Sequence, residues 1–176
     1  MKAEADIAMA KFPGDSVVIG AGNSRRLRAQ LSRLSTNIYT SVVSFGVCGG
    51  LHEGLAVGQL LSGDAVIGQD KIVADPSAKL LLGRRSGAFG VDTETHIAKE
   101  YAESRNIPFQ VARAVLDTVD QQVPPAALLP LNRDGSPDKV AIAKSVFFHP
   151  FQIPMLVQLG LQQNTALKML KEVTLL

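Results

Sequence analysis

The sequence predicts a single three-layer α/β domain, with helices on both faces of a mainly parallel, mixed central sheet. Three features carry that expectation. Phe109-Gln110-Val111-Ala112-Arg113-Ala114-Val115-Leu116 is an almost continuous apolar run closed by Asp117, the pattern of a strand buried on both faces. Residues 41–46 form another apolar strand, which runs into Val47-Cys48-Gly49-Gly50-Leu51. Helical stripes alternate with these strands: Leu27, Leu31 and Leu34 in one, Ile97, Ala98, Tyr101 and Ala102 in another.

In chain order, residues 1–11 are expected as a helix from their alanines, with Ile7, Ala8 and Ala10 as core candidates, and Pro13-Gly14-Asp15 marks a turn. Residues 16–20 predict a short β-branched strand, and Gly20-Ala21-Gly22-Asn23-Ser24 leads from it into the Leu27 helix. A strand, glycine turn and helix can seat a phosphate on free backbone N–H groups. The dinucleotide fingerprint is incomplete, because the third glycine is missing. Gly46, Gly49 and Gly50 allow a sharp turn or a close approach of backbone to ligand. His52 and Glu53 share a loop with no second ligand at metal spacing, so His52 reads as a surface loop residue. Asn106-Ile107-Pro108 stops the helix that begins near residue 95. Val123-Pro124-Pro125 ends regular structure, residues 131–137 form a polar turn, and helices are expected over 140–148 and 155–176, with His149 at the end of the first. Phe147, Phe148, Phe151, Ile153, Met155, Leu156 and Val157 make an apolar neighbourhood. Its expected role is core or oligomer interface, with hydrocarbon binding or peripheral membrane contact as the sharper alternative.

Composition narrows the function classes. A chain of 176 residues, 46% hydrophobic and 19% charged, is an ordinary globular domain with room for a sizeable core. A net charge of +2 leaves no polyanion footprint, so no nucleic-acid partner is expected. Arg25, Arg26, Arg28 and Arg33 read as the solvated face of one helix. Cys48 is the only cysteine, which excludes an internal disulfide and fits a reducing compartment. Residues 1–12 carry charges and no signal-peptide core, and no stretch approaches the ~18 apolar residues of a membrane span. A cytoplasmic protein is expected.

Polar chemistry concentrates in Gly90-Val91-Asp92-Thr93-Glu94-Thr95-His96, at a helix start. Asp92 or Thr93 can cap that helix, and Glu94 favours the positive end of its dipole. Asp117 stands at the carboxyl end of its strand, the edge where open α/β sheets bind ligands. One helix and its following strand would therefore bring Glu94 and Asp117 to the same crevice.

Four motifs occur in the order found in the purine nucleoside phosphorylase and methylthioadenosine nucleosidase superfamily, which the chain resembles over most of its length. They are Phe45-Gly46-Val47-Cys48-Gly49-Gly50-Leu51, Ser62-Gly63-Asp64-Ala65-Val66-Ile67, Val91-Asp92-Thr93-Glu94-Thr95-His96 and Arg113-Ala114-Val115-Leu116-Asp117-Thr118-Val119-Asp120. Leu131-Asn132-Arg133-Asp134-Gly135 and Pro150-Phe151-Gln152-Ile153-Pro154 are similar to the hopanoid-associated phosphorylase branch. The resemblance implies a nucleoside phosphorylase-like fold and cleavage of a purine ribosyl N-glycosidic bond, with adenine leaving adenosylhopane, a lipid-linked purine nucleoside. It further implies that Asp117 donates to purine N7, that Glu94 holds the ribose hydroxyls and that Glu4 activates water. Val47, Cys48, Gly49, Val66, Ile67 and Thr93 would contact substrate, and Gly22, Arg25 and Arg26 are candidate phosphate contacts. No metal or organic cofactor is implied, inorganic phosphate being the alternative co-substrate, and a homo-oligomer is expected.

The chain departs from the superfamily pattern in three places. Val47 replaces the serine that holds phosphate, which favours hydrolysis over phosphorolysis. Leu116 replaces the serine that precedes the catalytic aspartate. The strand before the Glu4 region and a segment between residues 68 and 89 are expected to be missing from an otherwise single domain over 1–176. Two other classes stand as alternatives: a nucleoside-binding or structural relative that has lost catalysis, and, disfavoured by the incomplete glycine motif, a nicotinamide-dependent Rossmann oxidoreductase.

Overall fold

The computed structural model describes residues 1–34 and 39–174; of the helix expected over 155–176, residues 175–176 lie outside the described residues, and the helix found starts at Ile153 and ends earlier, at Glu172. It shows an α/β arrangement, a five-stranded mixed sheet flanked by helices. The strands are β1 (Val42–Gly50), β2 (Leu60–Ser62), β3 (Val66–Gly68), β4 (Gly90–Asp92) and β5 (Phe109–Asp117), in the spatial order β2-β5-β1-β4-β3. The long central pair β1 and β5 is parallel, as is the short pair β3 and β4, whereas β4 runs antiparallel to β1 and β2 antiparallel to β5. Parallel pairing thus dominates by length, while the junctions divide evenly between the two senses.

The helices are α1 (Lys2–Lys11), α2 (Ser24–Leu31), α3 (Pro76–Ser86), α4 (Thr95–Arg105), α5 (Lys139–Phe148) and α6 (Ile153–Glu172). Alternation along β5 assigns their packing, because successive side chains leave opposite faces of a strand. Ala112 and Ala114 meet Ala166 and Leu170 of α6, with Phe45 and Val47 of β1 beside them. On the other side Val111 and Val115 join Cys48, Leu55, Leu61 and Val66. Arg113, between those two valines, reaches Asp92 and the Thr95 hydroxyl at the start of α4. Two small alanines on the α6 side let that long helix lie close to the sheet, and burying its stripe from water is what holds it there.

Several helix ends follow their local chemistry. Asn23 caps α2 by accepting from Arg26 N–H, Asp75 caps α3 ahead of Pro76, and Asp138 caps α5. Asn106 ends α4 in the left-handed conformation, φ 54°, so the stop expected at Asn106-Ile107-Pro108 is found there. Gly83 of α3 is a close-approach position, where a Cβ would lie 2.6 Å from the Leu51 carbonyl oxygen.

Four expectations need correction. Residues 16–20 form no strand: no backbone ladder joins them to β1, which pairs with β5 along its length and with β4 only at Gly49 and Gly50. The glycines 46, 49 and 50 do not make a turn but lie within β1. In α1 the inward residues are Glu4, Ala5 and Ala8, while Ala10 is exposed. Phe147, Phe148, Phe151, Ile153 and Val157 are not core; all are exposed.

Candidate functional site

A cavity of about 680 Å³ lies at the carboxyl ends of the parallel strands β1 and β5. Its polar wall brings together Glu4 of α1, Val47, Cys48 and Gly49 of β1, Thr93 and Glu94 before α4, and Arg113 and Asp117 of β5. Gly22, Asn23 and Arg26 close one side, and Leu128, Leu129, Leu131, Ile142, Leu156 and Leu159 form an apolar wall. Of the residues expected at the site, Val66, Ile67 and Arg25 are not brought to the cavity. Val66 is packed with Cys48 and Leu61, Ile67 lies against Leu51, Ala88 and Val91, and Arg25 is exposed on α2. Their place in the lining is taken by Lys71, Ile72 and Val73, which follow β3.

A bulge aims Asp117. The β1–β5 register runs evenly to Cys48 opposite Val115, then places Gly49 opposite Asp117, so Leu116 is the extra residue. Such a bulge bends the strand and redirects the side chain after it. The Asp117 carboxylate comes to rest over Gly49, where a Cβ would lie 3.4 Å from Oδ2. Burial pushes the Asp117 carboxyl above its ordinary value, and the ammonium of Lys79 opposes that shift.

Lys79 is fully buried on α3 and its protons are all engaged, with Asp117 Oδ2, with the Thr118 carbonyl at 3.0 Å and with the Gln121 carbonyl at 2.8 Å. A buried ammonium is tolerable only when paired and hydrogen-bonded in this way. Lys79 leaves Oδ1 as the Asp117 oxygen available to a ligand.

Arg113 organises a second cluster. Its Nη2 meets Asp92 Oδ2, donates to Ser44 Oγ at 2.7 Å and lies 4.0 Å from Glu94 Oε2, while Nη1 donates to the Val47 carbonyl at 3.3 Å. Asp92, at the end of β4, in turn accepts Thr95 N–H at 2.9 Å and the Thr95 hydroxyl at 2.5 Å, which satisfies the first backbone donor of α4, while the cap position itself is Glu94. Glu4 accepts Val47 N–H at 2.8 Å. Gly46, φ 150°, makes room for both charged groups, since a Cβ there would lie 2.6 Å from Arg113 Nη1 and 2.8 Å from Glu4 Oε1.

Two of the three expected phosphate contacts have partners within the chain. Gly22 N–H donates to Glu94 Oε1 at 3.2 Å, and Arg26 Nη2 donates to the Arg133 carbonyl. Val47 has no side-chain donor, and its N–H is held by Glu4.

Arg113 and Lys79 are the residues that reading the sequence missed. Arg113 had a signal, being the one charged residue inside an apolar run, where a buried cation demands carboxylate partners. Lys79 had only a weak one, its position one turn before the buried Gly83 on α3.

Cys48 lines the cavity as an apolar group: burial pushes its thiol up to about 12. Reaction requires thiolate, so Cys48 in the folded protein is expected to resist thiol reagents at pH 8 and to react stoichiometrically only after unfolding, as read by absorbance on adding a disulfide reagent. His52 is half-buried with its ring stacked on Phe89 at 4.6 Å, less exposed than a free loop residue. Among the described residues no group of three or more His, Cys, Asp or Glu side chains is placed to hold a metal ion. Neither a protein-family model nor a curated protein sequence matches the chain.

Proposed function

We propose that this protein hydrolyses the N-glycosidic bond of a purine ribonucleoside, on a nucleoside phosphorylase-like three-layer fold, with adenosylhopane as the substrate that the sequence resemblance implies. The observation that carries this reading is that Asp117 and Glu94 share one cavity, of a size typical for small-molecule sites. Breaking the bond leaves positive charge on the ribose and negative charge on the departing base. Asp117, with its carboxyl raised by burial, gives its proton from Oδ1 to purine N7, so that the base leaves neutral. Glu94, held by Gly22 N–H and near Arg113, accepts hydrogen bonds from the ribose hydroxyls. Glu4 takes a proton from the attacking water, which adds to the anomeric carbon. The apolar wall from Leu128 to Leu159 would take the hydrocarbon part of the substrate.

The charge on the wall bears on the nucleophile. Of the cations on the wall, Arg113 is paired with Asp92 and Arg26 donates to the Arg133 carbonyl, while Glu94 stands beside Arg113, which favours a cationic ribosyl group and disfavours a phosphate dianion. Adenine release, followed by chromatography with an adenosyl substrate, is therefore expected in phosphate-free buffer and should rise by less than about tenfold on adding phosphate. Ribose 1-phosphate products in stoichiometric yield, with no turnover when phosphate is absent, would overturn hydrolysis and make Arg26 the next residue to change.

One observation favours a second reading, a nucleoside-binding relative without catalysis: the Lys79 ammonium against Asp117 stabilises the carboxylate, not the acid. Adenosine binding by calorimetry with no adenine formed would select it. The oxidoreductase alternative loses its motif, because no strand forms over residues 16–20 to precede the glycine turn.

A further inference from the structure

An exposed aromatic surface sits at the bend between α5 and α6. Phe147, Phe148 and Phe151 are 80%, 72% and 68% exposed. On α5, Val140, Lys144, Phe147 and Phe148 recur at helical spacing and share one face, and all four are exposed. On α6, Ile153, Val157 and Leu161 form the corresponding exposed stripe, which continues one turn-pair later into Lys168. Each apolar stripe thus carries a lysine.

Charge decides what such a surface fits. From residue 139 to residue 171 the chain contains Lys139, Lys144, Lys168 and Lys171 and no Asp or Glu. A symmetric pairing of two copies through this face would bring lysines against lysines, whereas anionic headgroups complement them. Protruding phenylalanines beside lysines, whose long stems reach back to the headgroups, match the chemistry of a bilayer surface.

By length and composition α5 and α6 together pass for a bent span, but the packing of α6 on the sheet leaves only an outer face free. No single helix among the described residues is long and apolar enough to cross a membrane, and α5 and α6 meet at a bend of 115°. Ala166 and Leu170 of α6 are committed to the sheet, so only the outer stripes are available. We infer that α5, the Pro150–Gln152 turn and the first half of α6 form a docking surface for an anionic lipid bilayer, with the three phenylalanines entering the headgroup region and the lysines meeting lipid phosphates. This inference stands apart from the proposed activity: it uses neither Asp117 nor Glu94.

Co-sedimentation of the full chain with vesicles of phosphatidylcholine alone, or of equal parts phosphatidylcholine and phosphatidylglycerol, tests it. Binding is expected to the anionic vesicles, at least about tenfold stronger than to the neutral ones, and to weaken in about 0.5 M salt. The triple variant Phe147→Ser, Phe148→Ser, Phe151→Ser should lose binding to anionic vesicles by at least about tenfold. Lys144→Glu with Lys168→Glu, which leaves the apolar groups intact, should lose the preference for anionic lipid, and it decides the matter if the phenylalanine variant does not fold. Equal binding with and without phosphatidylglycerol, or unchanged binding by the charge variant, would overturn the inference. So would a dimer seen by light scattering that the phenylalanine changes convert to monomer while vesicles bind neither form.

Discussion

Replacing Lys79 by methionine is expected to destabilise the fold by about 3–5 kcal/mol, the range for breaking a buried pair by removing one partner. The change leaves the Asp117 carboxylate buried without its cation and strips the Thr118 and Gln121 carbonyls of their donor. Urea unfolding monitored by circular dichroism measures the loss. The deficit should depend on pH, with a sign fixed by linkage. A carboxyl whose pKa is raised by folding binds protons better in the folded state, so the loss is smallest below the ordinary carboxylate value and grows as pH rises through the shifted one. Adding Asp117→Asn to the methionine variant removes the buried charge and should recover at least about 1 kcal/mol at neutral pH. An unfolding midpoint equal to wild type for Lys79→Met would show that the pair does not hold Asp117 in place.

Asp117→Asn in the otherwise unchanged protein is expected to slow adenine release by about 10²–10⁴-fold, the usual contribution of a general acid. The amide keeps the shape of the carboxyl and can still accept from Lys79, but it leaves the buried ammonium without a counter-charge, so the unfolding midpoint should fall as well and kcat is to be read well below it. Wild-type kcat/KM should decline as pH rises above the ordinary carboxylate range, because the reaction uses protonated Asp117, and the variant should lack that limb. Glu94→Gln should raise KM as well as lower kcat, since Glu94 holds the ribose in the ground state and interacts more strongly as positive charge develops on it in the transition state. If both variants turned over at the wild-type rate, these carboxylates would have no part in the chemistry.

The sequence by itself determined the elements whose signals are local. The apolar run of β5 from Phe109 to Asp117, the stripe of α4 and its stop at Asn106 are found where periodicity and stop residues put them. The meeting of Glu94 and Asp117 in one crevice was also legible, because a helix start and the carboxyl end of the following strand are adjacent in an α/β sheet. Residues 16–20 show the limit of local reading: β-branched composition favours a strand, yet a strand exists only where another backbone pairs with it, and no ladder joins this segment to β1. The tertiary structure alone decided the electrostatics. Lys79 lies 38 positions from Asp117 in the chain, and Arg113 is 21 positions from Asp92, so neither pairing leaves a periodic trace. The bulge at Leu116 is likewise a matter of register between two strands, and it is register that turns Asp117 toward Gly49 and the cavity. Burial of the Lys79–Asp117 pair and exposure of Phe147, Phe148 and Phe151 both run against residue type, because which face a helix turns inward is set by the neighbours it packs against, and those are chosen only when the whole chain is folded.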